Sequence, residues 1–155
     1  MITARIIFSF MIISMVWSGV KAQDDCDKMF FSKTLSGDFE QITAKVISEF
    51  KNAGFGVVTE IDMDKTLNEK LEDVNVNPYK ILGVCNPEYA YQAMQANSNI
   101  GVFLPCKVVI KQLNDNQIEV VAANPSVLMK MLDNKELDKI AKEIAYKMQK
   151  AIENI

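Results

Sequence analysis

The 155-residue chain contains no histidine, and its only arginine is Arg5. The absence of imidazole excludes Ser-His-Asp and Cys-His nucleophile pairs, a histidine general base, Cys/His zinc sites and histidine-ligated haem. A reaction mechanism would have to use carboxylates, lysine, tyrosine or thiols. The sequence is therefore more informative about the fold and the cellular location of the protein than about its activity.

The first 22 residues have the pattern of a secretory signal peptide. Arg5 is followed by an apolar run from Ile6 to Trp17, and the small residues Val20 and Ala22 are typical of a cleavage site. This run is shorter than the roughly 20 residues that a membrane-spanning helix needs. We therefore predict cleavage after Ala22, no stable membrane anchor afterwards, and export to the periplasm or out of the cell.

Without this segment the chain is acidic and lacks tryptophan as well as arginine and histidine. Residues 23–155 contain 15 lysines and 20 acidic residues, for a formal net charge of −5. Nucleic-acid recognition uses basic surfaces and arginine forks, so this class of partner is excluded. A chain of this length forms one domain with a sizeable core. We predict a short acidic tail at 23–27 and a single domain at 28–155.

Hydrophobic periodicity predicts an alternation of strands and helices. Strands are expected at 29–35, 55–61, 79–84, 100–110 and 117–122, and helices at 39–51, 64–71, 87–96 and from 135 onward. Asp38, Asn86 and Asn134 are suitable helix caps, and a turn at 114–116 makes the last two strands antiparallel. The order β-α-β-β-α-β-β-α predicts an α+β two-layer sandwich, with helices on one face of a mixed, mainly antiparallel sheet.

Three sequence blocks together resemble a known family. They lie at 54–62, 78–87 and 101–106. Their order and spacing are similar to those of the domain of unknown function 302, a family found in bacteria and archaea. The resemblance covers about residues 28–155 and implies a compact α/β-type fold with no established activity. Lys107 departs from the family pattern, which usually has asparagine after the proline-cysteine pair.

Cys85 and Cys106 are the candidate reactive side chains. Cys85 directly precedes Asn86 and Pro87, which are expected to begin a helix, so the helix dipole favours a thiolate with a lowered pKa. If the strands of Cys85 and Cys106 are neighbours, the two sulfur atoms approach each other. Three interpretations remain open: two buried apolar side chains, a disulfide formed after export, or a redox or Cu(I) site. Cys26 in the tail is able to pair with either or to stay free.

Polar side chains are expected near the same corner of the sheet. Glu60 and Asp62 alternate along one strand and so point to one face, where they are either solvated or able to hold a proton or a cation. Lys70 would pair with Glu60 if its helix folds back onto that strand. Tyr79 would join Asn86 at one sheet end, although helix capping is a sufficient explanation for Asn86.

Two functional hypotheses follow. The first is an exported, non-enzymatic domain that binds a small ligand or a protein partner in the cell envelope. Its predicted site comprises Cys85, Asn86, Pro87, Cys106, Glu60, Tyr79 and Lys70. The second is a thiol-redox or Cu(I)-handling protein that uses Cys85 and Cys106. We assign no cofactor, and a homodimer is compatible with both hypotheses.

Overall fold

The computed structural model describes residues 29–155, so the predicted signal peptide, the acidic tail and Cys26 lie outside the described residues. The strands are β1 (Phe30–Ser36), β2 (Gly56–Asp62), β3 (Tyr79–Cys85), β4 (Cys106–Asn114) and β5 (Gln117–Ala123). The helices are α1 (Phe39–Asn52), α2 (Met63–Lys70), α3 (Pro87–Ala96), α4 (Pro125–Met129) and α5 (Lys135–Asn154), with 3₁₀ helices at Ser98–Phe103 and Lys130–Leu132. None of the helices in this part of the chain is both long and apolar enough to cross a membrane.

The five strands form one sheet in the order β1-β5-β4-β3-β2. This arrangement confirms the predicted α+β two-layer fold, with one refinement. The prediction allowed a mixed sheet, whereas all four neighbouring pairs among the described strands are antiparallel. The reason is that α1 carries the chain from β1 at one edge to β2 at the opposite edge, so these two strands never pair.

The predicted strand at 100–110 is wrong over its first half. Ser98–Phe103 form a 3₁₀ helix, and β4 begins only at Cys106. Pro105 has no backbone N–H to donate to a neighbouring strand, so it separates the helical part of this apolar run from the extended part. The residues before Pro105 are consequently placed beside the sheet instead of within it.

Side-chain alternation along the strands places one face of the sheet in the core. Fully buried residues from three adjacent strands form this face: Leu82, Val84, Val108, Ile110 and Val120. Phe50 of α1 and Met148 of α5, also fully buried, pack against them. The alternate side chains, such as Val109 and Val121, are only partly covered, as is common for an antiparallel sheet with one solvated face.

Helix α5 packs in two environments through one continuous apolar stripe. Its second half belongs to the sheet core through Ala145, Met148, Ala151 and Ile152. Its first half belongs to a second apolar cluster through Leu137, Ile140 and Ala141. Lys33 links β1 to the end of α5. Its Nζ donates to the carbonyl oxygens of Glu153 and Ile155 at 2.7 and 2.8 Å.

Candidate functional site

The second apolar cluster surrounds a cavity of about 300 Å³. The cavity lies between the chain segment from Ile100 to Lys107 on one side and α4 with the first half of α5 on the other. Its wall is almost entirely aliphatic or aromatic, with Phe103, Leu104, Met129, Leu137, Ile140 and Ile144 among its members. In the described part of the chain, Cys106 and Lys107 are the only lining residues with polar side chains.

Three asparagine caps position the helices around this cavity. Asn86, Asn124 and Asn134 begin α3, α4 and α5, and each accepts backbone hydrogen bonds with its side-chain oxygen. Asn124 is fully buried, and its Oδ1 also accepts from the Ser126 hydroxyl at 2.7 Å. Asn134 Nδ2 donates to the carbonyl oxygen of Ala96 at 3.4 Å, which links α5 to the end of α3. Because these buried or half-buried polar groups have partners, they define where the helices start.

The wall formed by Pro105 depends on a glycine in the adjacent strand. A Cβ atom on Gly83 would collide with the Pro105 ring and with the Thr59 hydroxyl. The absence of a side chain at Gly83 therefore lets Pro105 approach the sheet closely. This contact positions the chain on one side of the cavity just before β4 begins.

The two cysteines point to different faces of the sheet. Val84 of β3 lies opposite Cys106 of β4, so these two side chains share a face. Cys85 follows Val84 and points the other way, because successive side chains of a strand alternate. Cys106 packs against the sheet core and lines the cavity, whereas Cys85 lies beside Gly56 of β2 and is not part of the cavity wall. Both thiols are free.

Burial raises the pKa of both thiols. The pKa of Cys106 rises to about 11, mainly through burial and to a smaller extent through the nearby Cys85, while Lys107 acts in the opposite direction. Burial also raises the pKa of Cys85. This direction is opposite to the lowered pKa expected from the helix dipole, because loss of hydration penalises the thiolate. Both cysteines are therefore protonated and weakly nucleophilic at neutral pH.

Asn86 and Pro87 form the start of a helix. Asn86 Oδ1 accepts from the backbone N–H groups of Glu88 and Tyr89 at 3.1 and 3.2 Å, and Nδ2 donates to the carbonyl oxygen of Gly54 at 2.8 Å. The Asn86 amide is thus used to cap α3 and to hold the loop before β2. Pro87 is the exposed first residue of α3. Neither residue lines the cavity.

Tyr79 and Asn86 do not share an end of the sheet, and this part of the predicted site is wrong. Tyr79 begins β3 and Asn86 follows its last residue, a separation of roughly 20 Å along an extended strand. Tyr79 instead lines a shallow depression on the partly covered face of the sheet, together with Phe30 and Val109. The predicted polar cluster is therefore split between two ends of one strand.

Lys65 and Lys80, and not Lys70, pair with the carboxylates of β2, and only Lys80 of these contacts both of them. The Nζ of Lys80 lies 3.0 Å from Asp62 and 3.8 Å from Glu60, because the register places Lys80 directly opposite Asp62. Lys70 is exposed at the end of α2 and makes no ion pair with Glu60. Hydrogen bonds from Lys65 and Lys80 lower the pKa of Asp62, and the bond to Asp62 raises the pKa of Lys80. This group is an ion-pair network at the sheet edge.

The cavity wall contains residues that sequence reasoning did not single out. The apolar run at 100–110 predicts one strand, which would place Phe103 and Leu104 within the sheet instead of beside α5. The available signal was Pro105, which interrupts the run. Across residues 29–155, no three His, Cys, Asp or Glu side chains are grouped closely enough to hold a metal ion.

Comparison with known proteins identifies the family of this domain. A family model described as domain of unknown function DUF302 matches residues 31–155. The chain belongs to this family. A crystal structure of an uncharacterized conserved DUF302 protein from Bacillus stearothermophilus has 28% sequence identity and a TM-score of 0.75, and the match covers 82% of this chain and 98% of that chain. The resemblance seen in the sequence is thereby confirmed. No curated protein matches this sequence significantly.

Proposed function

We propose that this DUF302 domain binds a small, mostly apolar molecule in the cavity beside Cys106. The observation that carries the proposal is the cavity itself, with its volume of about 300 Å³ and its apolar wall. Small-molecule sites are typically concave and apolar, with a few polar groups and volumes from about 300 Å³ upward. Since an apolar cavity of about 150 Å³ accepts benzene, this one suits a ligand of about a dozen non-hydrogen atoms.

The composition of the wall supports binding and offers little for catalysis. No carboxylate and no tyrosine from residues 29–155 lines the cavity, and the pKa of about 11 keeps the Cys106 thiol protonated at neutral pH. Of the residues that the sequence pointed to, Cys106 belongs to this site, whereas Cys85 and Asn86 lie outside it. In our proposal the ligand is met outside the cytoplasm, which rests on the signal-peptide pattern of residues 1–22.

The alternative function, thiol redox chemistry or Cu(I) handling, receives less support. Cys85 and Cys106 point to opposite faces of the sheet, and burial raises the pKa of each. Both properties oppose a shared metal ion or a disulfide. Competition with a Cu(I) chelator is the direct check: under this alternative, Cys85→Ser and Cys106→Ser would each remove tight Cu(I) binding.

Ligand binding can be tested by using Cys106 as a reporter inside the cavity. In a chain carrying Cys26→Ser and Cys85→Ala, Cys106 is the only thiol, and its alkylation by N-ethylmaleimide is followed at pH 9. We expect saturating 1-octanol to slow this alkylation at least fivefold, because the ligand occupies the space beside the sulfur. The matched control carries Cys26→Ser and Cys106→Ala, and octanol should not change the alkylation of its remaining Cys85.

The volume of the cavity supplies a second control. Ala141→Phe places a ring in the cavity from the α5 side, since Ala141 is buried and lines the wall. In the Cys106 reporter this substitution should abolish protection by octanol. If octanol, toluene and indole all leave the alkylation rate of Cys106 unchanged, the proposal of a ligand-binding cavity is wrong.

A further inference from the structure

We infer that the ligand of this cavity is an anionic amphiphile, whose negatively charged head lies against Lys107 while its apolar tail fills the cavity. This inference rests on the proposed function and names the chemical class of its ligand. Among residues 29–155, Lys107 is the only charged residue that lines the cavity. An apolar space with one charge at its wall selects molecules that are apolar at one end and oppositely charged at the other.

The Lys107 ammonium is bound to the backbone of a cavity-wall residue and keeps unused donors. Its Nζ donates to the carbonyl oxygen of Pro105 at 2.7 Å, and Pro105 itself lines the cavity. A lysine ammonium carries three donors, so two remain available to a ligand. Within residues 29–155, no carboxylate forms an ion pair with Lys107, so its charge is not compensated by this part of the protein.

Other lysines of the same region of the sheet are not available in this way. Lys111, four residues further along β4, pairs with Glu119 at 2.8 Å. Lys80 on the neighbouring strand is held by Asp62 at 3.0 Å. Neither of them lines the cavity. Lys107 is thus distinguished by both its position and its unpaired charge.

The opposite side of the cavity determines the polarity of the bound ligand. Leu137, Ile140 and Ala141 of α5 are buried and contribute no polar side-chain atom to the wall. A head group placed there would lose its hydration without a partner, which is costly for a charged group. The tail therefore points toward α5, and the head stays near Lys107, where solvent is accessible.

The chemistry of the head and the role of Lys107 can be tested together. Octanoate, octyl phosphate, 1-octanol and octylamine have the same tail, and their affinities are measured by calorimetry for the wild type, Lys107→Gln and Lys107→Arg. We expect Lys107→Gln to weaken octanoate binding by about three- to fivefold, the upper part of the range for a solvent-exposed ion pair, and to leave octanol binding unchanged. Lys107→Arg should retain the affinity for octanoate, and 0.5 M salt should reduce the difference between wild type and Lys107→Gln.

Controls separate this inference from the proposed function. Lys111→Gln removes a lysine outside the cavity and should leave the affinity for all four ligands unchanged. If octanol binds but Lys107→Gln has no effect on either anionic ligand, the anionic-amphiphile inference is wrong while the ligand cavity stands. If octylamine binds more tightly than octanoate, the inference is also wrong. If none of the four ligands protects Cys106, the proposed function itself fails.

Discussion

The two apolar clusters of this domain share helix α5 and differ in how completely they are filled. In the sheet core, Phe50, Leu82 and Met148 have no exposed surface and pack between sheet and helices. In the second cluster, Leu137 and Ile140 of the same helix are buried, and yet a space of about 300 Å³ remains. Since protein interiors are normally close-packed, the hollow region is the exception that calls for an explanation.

The difference follows from the elements that form each wall. The sheet presents a continuous row of inward-facing side chains from neighbouring strands, so α1 and α5 can pack against it without gaps. The second cluster is enclosed by the five-residue helix α4 and the 3₁₀ helix Ser98–Phe103, which do not form a continuous surface. The sheet core is therefore filled more completely, and the hollow region is where we propose that a ligand binds.

The largest expected effect compares two isoleucines of α5 that differ in their surroundings. Ile152→Ala in the sheet core should lower the free energy of unfolding by about 3–4 kcal/mol, and Ile140→Ala at the cavity by about 2 kcal/mol. The smaller loss is expected because Ile140 faces empty space and makes fewer contacts there. Urea unfolding of both variants measures the two values. Equal losses would show that the second cluster is as well filled in solution as the sheet core.

Substitutions that add volume on the same helix should change the stability of the fold by different amounts in the two regions. Ala145→Leu adds volume to the sheet core, and we expect it to destabilise the fold by about 1–3 kcal/mol. Ala141→Leu adds the same volume toward the cavity and should stay within about 0.5 kcal/mol of the wild type. The midpoint of thermal unfolding provides the measurement. If Ala141→Leu is as destabilising as Ala145→Leu, the cavity closes up in solution.

The smallest expected effect is the pH dependence of stability that comes from the ion pairs at the sheet edge. Ligand binding in the cavity should not be affected by these ion pairs. Ion pairing lowers the pKa of folded Asp62 below its ordinary value of 3.8. The unfolded chain therefore takes up this proton first as pH falls, so the pairing stabilises the fold above pH 3.8 and is lost as pH drops through the lower folded pKa. Lys80→Met should lower stability at pH 6 by less than about 1 kcal/mol and have a smaller effect at pH 2.

Two measurements test this third prediction. Urea midpoints at pH 6 and pH 2 are compared for the wild type, Lys80→Met and Lys65→Met, because both lysines bond to Asp62. The affinity for octanol should be the same in all three proteins at pH 6, since Lys80 pairs with Ile110 and lies four residues along β3 from Val84, the partner of Cys106. A change in octanol affinity would show that the two ends of the sheet are coupled.

Local features of the fold could be predicted because their causes lie within a few residues. The Asp38 and Asn86 caps, together with apolar periodicity, place α1 and α3 to within one residue of their observed ends. The same reasoning fails at Ser98–Phe103, where an apolar run fits a buried strand and a buried helical segment equally well. Pro105 decides between them, but only the pairing of β4 with β3 shows which part of the run enters the sheet.

The candidate site was predictable only in part, because its residues lie far apart along the chain. Cys106 was identified from its residue type, whereas the rest of the wall comes from segments as far apart as Ala93 and Ile144. Pairing of Lys80 with Asp62, in place of Lys70 with Glu60, depends on the register of two strands. A bulge between Val57 and Thr59 shifts that register, and the sequence pattern does not reveal it.

By itself, the sequence determined the elements, their order and the repertoire of side chains, because helix caps, periodicity and composition are local or additive properties. It also determined that chemistry here depends on thiols, carboxylates, lysine and tyrosine. Only the tertiary structure decided which of these groups meet: strand register put Cys85 and Cys106 on opposite faces, and burial raised the pKa of both. The cavity is likewise a tertiary property, because an unfilled volume arises only where separate elements fail to pack completely against one another.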